Sequence, residues 1–216
     1  MTDKDLKRTV ESALEFEPSV DAADVGVSVD EGVVTLRGNV GTYAEKNTAE
    51  RVALRVFGVK AVANDLAVHL PFGLKRTDTE IAQAALTALE WNAMIPKDRI
   101  TLTVENGWVT LNGTLDWQYQ RDVAGRVVRD LIGVKGVTNG ITLKPHVKAA
   151  DVREQIEAAF KRSAEIDARR ISVSAQDGKV TLSGTVHSWA ERLAAEHAAW
   201  AAPGVSTVDD RLAIVP

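Results

Sequence analysis

Four histidines, His69, His146, His187 and His197, are the side chains of this sequence best suited to moving protons or ligating a metal near neutral pH. None belongs to a His-Glu-x-x-His helix, and His187 and His197 stand ten residues apart, a poor spacing for one helix face. They are expected on the surface. Acidic residues stand beside a second acid or an amide at Asp30-Glu31, Asn64-Asp65 and Asp209-Asp210. The first pair reads as a hairpin turn. The other two read as local backbone-bonding residues placed before a last strand. No Gly-x-Ser-x-Gly elbow occurs, and there is no cysteine to serve as nucleophile, disulfide or metal ligand. The expectation is a chain without catalytic residues, metal or cofactor, and not an enzyme.

Aromatic side chains offer a different chemistry. Trp108, Trp117, Tyr119, Trp189 and Tyr43 fall in or beside loops and are the candidate binding surface, either a hot spot for a partner or an anchor at a membrane interface. The alternative is that they fill seams where one part of the chain packs on the next. Trp91 ends an amphipathic stretch and is expected in the core. Arg121, Arg126 and Arg129 share a helix with Asp122 and Asp130 and read as a solvated charged face.

Composition narrows the function. The chain is 45% hydrophobic and 26% charged, as a soluble folded protein is, and its net charge is −4. No third of it is strongly basic, which excludes charge-driven nucleic-acid binding. No stretch approaches the ~20 apolar residues of a membrane span. Met1-Thr2-Asp3-Lys4-Asp5-Leu6 does not open a signal peptide, so the sequence as written is expected in the cytoplasm, with the periplasm as the alternative.

The elements that would position these residues repeat three times. Gly32-Val33-Val34-Thr35-Leu36-Arg37-Gly38 returns as Gly107-Trp108-Val109-Thr110-Leu111-Asn112-Gly113 and again as Gly178-Lys179-Val180-Thr181-Leu182-Ser183-Gly184. The offsets are 75 and 71 residues, and Gly58, Gly133 and Gly204 keep them. Each repeat opens with a helical stripe (Leu6, Val10, Ala13 and Leu14 in the first) and continues in strict alternation (Val25, Val27 and Val29). A Gly-containing tight turn leads into the repeated strand. Thr42-x-x-Glu45 and Ser188-x-x-Glu191 then match a capping box, while the second repeat has Trp117 and Gln120 there. The helix so started is expected to end with Gly58, Gly133 or Gly204 as its C′ residue. A last strand closes the unit. The fold class is therefore α+β, three tandem α-β-β-α-β modules over 1–70, 77–144 and 149–216. In each, two helices cover one face of a small mixed three-stranded sheet. Alternation sends Val34 and Leu36 inward and Val33, Trp108 and Lys179 to the uncovered face, which could pack on a neighbouring module.

The Gly-x-Val-Thr-Leu-x-Gly strand, followed by Glu-Lys or Glu-Arg and then Gly-Val-x-x-Val, resembles the hallmark of the BON domain (bacterial osmotically induced protein Y and nodulation domain), three times over. The resemblance implies a non-catalytic, stress- or envelope-associated module that interacts with phospholipid or with partner proteins. It also implies a periplasmic setting for many members. The hallmark glycines, Gly32, Gly38, Gly58, Gly107, Gly113, Gly133, Gly178, Gly184 and Gly204, are structural. The expected partners are a phospholipid surface or another protein, without nucleic acid; the runner-up is a soluble adaptor or small-ligand scaffold that never touches a membrane.

Overall fold

The computed structural model describes residues 2–144, 152–163, 166–202 and 205–215. Gly204, His146 and the joint at 145–148 lie outside the described residues. Each module runs helix, strand, strand, helix, strand. The first has α1 (Asp3–Glu15), β1 (Val25–Asp30), β2 (Val33–Val40), α2 (Tyr43–Arg55) and β3 (Ala61–Val68). The second has α3 (Asp78–Glu90), β4 (Ile100–Glu105), β5 (Trp108–Leu115), α4 (Gln118–Arg129) and β6 (Gly136–Leu143). The third has α5 (Val152–Arg162), β7 (Ile171–Gln176), β8 (Lys179–Val186), α6 (Trp189–Trp200) and β9 (Thr207–Ile214).

The repeated strand is the central one in every sheet, antiparallel to the strand before it and parallel to the strand after the second helix. A parallel neighbour needs a crossover, and that helix supplies it. The side chains that alternate inward make one core per module. Leu6, Val10 and Leu14 of α1 close on Val34 and Leu36 of β2 and on Ala49 and Ala53 of α2. The same constellation returns with Ile81, Val109, Leu111 and Ala124, and with Ile156, Phe160, Val180, Leu182 and Ala195. Each large aliphatic side chain so buried contributes ~1.5–3 kcal/mol of transfer free energy. Ala175, last in its alternation, is exposed at the end of β7.

Two glycine positions are dictated by backbone geometry. The hairpin turns Glu31-Gly32, Asn106-Gly107 and Asp177-Gly178 have positive φ at both residues (48° and 82° in the first), the two-residue turn whose twist matches that of the strands. Gly38, Gly113 and Gly184 lie where a β-carbon would fall 1.9, 2.1 and 2.0 Å from the carbonyl oxygens of Asp24, Arg99 and Arg170. Any side chain there must push the first strand away.

Several expectations need correction. Gly58 and Gly133 are not C′ residues. α2 is capped at Val56 and α4 at Asp130, and the glycines follow in the turn that leads to the last strand, with φ of 94° in both. At Gly133 a β-carbon would sit 2.7 Å from Cβ of Arg76, so close packing against the segment before α3 adds to the demand for glycine. Asn64-Asp65 and Asp209-Asp210 lie inside β3 and β9, not before them. Among the described residues the outer sheet faces are open rather than packed on neighbouring modules. Val33 and Trp108 are 40% and 49% exposed, and Lys179 is exposed.

Candidate binding site between the modules

The third residue of each second helix carries the local order. Glu45 accepts from the backbone N–H of Gly41 (2.8 Å) and from that of Asp21, far back in the chain (2.8 Å), while Thr42 Oγ1 accepts from Glu45 N–H (3.1 Å). Glu191 does the same with His187 (2.7 Å) and Asp167 (2.8 Å), and Ser188 Oγ accepts from Glu191 N–H (3.1 Å). The box is thus wider than its motif: the carboxylate passes over the N-cap amide to the residue before it and to the strand entry. Gln120 accepts from Asp116 and Trp117 N–H (3.2 and 3.1 Å). The Trp117 indole carries no acceptor, so α4 has only half a box. Burial raises the Glu191 carboxyl, but the N–H groups of His187 and Asp167 outweigh it and hold the pKa below its ordinary value.

These helix starts bring residues of all three modules together. α2 touches α6, and Tyr43, at the first position of α2, packs against the core of the second module. Between α2, α4 and α6 runs a groove of about 1160 Å³. Tyr43, Trp117, Tyr119 and Trp200 line it, so three of the five aromatic candidates meet here. The other two stand elsewhere. Trp108 lies on the outer sheet face, and Trp189 is half-buried under the Arg192 guanidinium, 5.0 Å from ring centre to charge. Arg192 is itself held by Asp210 at 2.7 Å.

The groove is polar as well as aromatic. Arg51, Arg126, Arg129, Asp122 and Glu196 also line it. The Nε of Arg129 and the Oε1 of Gln118 are buried without a hydrogen-bond partner. Buried polar atoms of this kind are uncommon and call for a bonding partner, a water included. Arg129 therefore does more than coat a solvated face. Asp122 is exposed as a residue, yet crowding in the groove raises its carboxyl above the ordinary value, against the opposing pull of His197, Arg121 and Arg126 and the hydrogen bond from Gln118. Among the described residues no group of three or more His, Asp or Glu is placed to hold a metal ion. His69 and His197 are exposed, and His187 is half-buried with Nδ1 3.1 Å from Glu191.

Trp91 contradicts its expectation. It is the C-cap of α3 and 86% exposed. The sequence held the signal: Ile81, Ala85 and Leu89 face the core, and two residues past Leu89 is a turn of about 200°, which points away from it. Met94, three residues on, lines the groove and is 58% exposed. Phe16, at the C-cap of α1, is 90% exposed.

Fold and groove define a tandem α+β repeat protein with an inter-module cleft. The chain belongs to the BON domain family, whose model matches residues 2–69, 77–145 and 148–216. It is 32% identical over 152 residues to the osmotically-inducible protein Y of Escherichia coli (strain K12), across 67% of this chain and 74% of that protein. Among solved structures, CdsD of the type III secretion system of Chlamydia trachomatis aligns at 16% identity over 98% of this chain and 93% of that one. The TM-score is 0.28, an overlap too low to carry an argument. No helix among the described residues is long and apolar enough to cross a membrane.

Proposed function

We propose that this chain is a non-catalytic, stress-associated binding protein that works against phospholipid surfaces of the envelope. Family membership and likeness to an osmotically inducible protein support the stress association. The observation that carries the membrane reading is the loop after α3. Trp91 and Met94 are 86% and 58% exposed, and the exposed Lys97 and Arg99 follow them. An indole and a thioether beside two cations suit the boundary between headgroups and acyl chains, where the ring's apolar body enters and the charges stay with phosphate. Phe16 offers a second contact at the matching place in the first module.

Flotation of the full chain with vesicles of phosphatidylcholine, with and without phosphatidylglycerol, tests this. Retention is expected, stronger with the anionic lipid, and lost in the Trp91→Ala/Met94→Ser double variant. Absence of retention on either vesicle overturns the reading. A specific observation favours a second reading, an adaptor that holds a partner's peptide chain in the groove. Arg129 Nε–H lacks an acceptor and Gln118 Oε1 lacks a donor, and a peptide backbone supplies one of each. A partner captured by photo-crosslinking from position 119, and not from position 91, would favour that reading over lipid.

A further inference from the structure

The outer face of the second sheet differs in chemistry from those of its two sisters. In the first module this face carries Arg37 and Asp65, 3.6 Å apart. In the third it carries Lys179, Asp209 and Arg211, with Asp209 3.3 Å from Lys179 and 2.8 Å from Arg211. The register of β4, β5 and β6 puts six threonines on the corresponding face of the second module: Thr101, Thr103, Thr110, Thr114, Thr138 and Thr142. Asn112 stands among them, where the first module has Arg37. Glu105, beside the hairpin turn, is the one charged residue these strands place on that face. Strand propensity accounts for threonine on a pleated surface. It does not account for the loss of charge, since the sister strands form equally well with Arg, Lys and Asp.

At one end of this face the indole of Trp108 is fixed in place. Its Nε1–H donates to Thr138 Oγ1 at 2.9 Å. Its six-membered ring covers Gly136, where a β-carbon would fall 2.2 Å from Cε3. Glycine thus lets the ring lie down on the sheet, and at 49% exposed the side chain still offers its outer face to solvent. Gly140 likewise leaves no side chain beside Asn112.

We propose that the outer face of the second sheet is a platform for an uncharged glycan chain. A pyranose presents a C–H face that stacks on an indole and a rim of hydroxyls that both donate and accept. The platform supplies the matching parts: a ring lying on the sheet, then hydroxyls and an amide that also both donate and accept. Rows of hydroxyls about 4.8 Å apart across the strands are within the span of one sugar ring. A phosphate or a carboxylate finds no cation on these strands, so nucleic acid and anionic lipid headgroups fit poorly. The proposal does not depend on lipid contact by the loop after α3.

The full chain is tested by co-sedimentation with insoluble cellulose and chitin, and by titration with cellohexaose and chitohexaose. Saturable binding to at least one of these glycans is expected. Trp108→Val and Asn112→Arg should each weaken it by about tenfold or more, as losing a stacking anchor or planting a charge does at a contact centre. Both substitutions install the first module's own residue, so folding is retained by precedent, and Asn112→Arg keeps the test valid if Trp108→Val disturbs the sheet. Trp91→Ala, which removes the lipid contact, should leave glycan binding unchanged. No binding to any of the glycans, or binding that survives both substitutions, overturns the proposal.

Discussion

Asp78, the first residue of α3, accepts the backbone N–H of Gly107 at 2.8 Å, and its second oxygen takes that of Asn106 at the same distance. A helix start is thereby latched to a hairpin turn almost thirty residues away. Asp3 makes the same latch to Glu31 (2.9 Å) and Gly32 (3.2 Å). In the third repeat the sequence has Ala149 at this register, outside the described residues. Two charge-assisted bonds to a turn whose amides have no strand partner should matter. Asp78→Ala is expected to cost about 1–2 kcal/mol, less than two buried charged bonds would because the site is partly open to water. Urea denaturation should show a lower midpoint with unchanged slope.

Gly113 and Gly73 make a matched pair of substitutions. A β-carbon at Gly113 would meet the Arg99 carbonyl oxygen at 2.1 Å, whereas at Gly73 nothing lies within 4 Å. Gly113→Ala must spread β4 from β5 or break their pairing, and a loss of about 2–4 kcal/mol is expected. Gly73→Ala should stay within about 0.5 kcal/mol of the parent. Thermal unfolding of both variants gives the comparison, and equal midpoints would show that the close approach is not a constraint.

The Glu191 carboxyl is held below its ordinary value of 4.5 by the N–H groups that surround it, despite burial that works the other way. A depressed carboxyl contributes stability above its unfolded pKa, and that contribution fades as pH falls through the folded one. The third module should therefore lose stability on acidification below about pH 4.5. Glu191→Gln keeps one acceptor and turns an amide N–H toward a backbone N–H, costing about 1–2 kcal/mol at neutral pH. The variant should lose less stability on acidification than the parent, and the lowered carboxyls of Asp167 and Asp209 in the same module keep the rest of the slope. Equal acid slopes would place the titration elsewhere.

The parts of this fold that were readable in the sequence are those fixed within one module by short-range rules. The hairpin turns follow from glycine beside Glu31, Asn106 and Asp177, and the buried stripes from their 3.6- and 2-residue periods. Trp91 was readable too, had helical phase been carried two residues past Leu89. The groove was not. It depends on how α2, α4 and α6 meet, and nothing in the repeat states that Tyr43 of one module packs against the core of the next. Trp108 shows the middle case. Alternation placed it on the outer face, but its posture depends on Gly136, a residue on another strand paired only by register.

Tyr43 is the most direct handle on the inter-module arrangement. It opens α2 of the first module, yet it packs against the second module's core beside Leu102 and Val123 in one apolar cluster. Among the described residues, Tyr43 is the one apolar side chain of the three core clusters that belongs to another module, so the modules' cooperativity should rest heavily on it. Tyr43→Ala removes an aromatic side chain without touching the first module's own buried set. A loss of about 2 kcal/mol or more in coupling is expected, toward the lower end of an aromatic truncation because the site is half-buried. Calorimetry should then resolve a single broad unfolding transition into two, and the groove should lose one wall. Affinity for any ligand held there falls in step, while glycan binding at Trp108 is unchanged. A single transition that persists in Tyr43→Ala would mean that Tyr43 is not what couples the first module to the second.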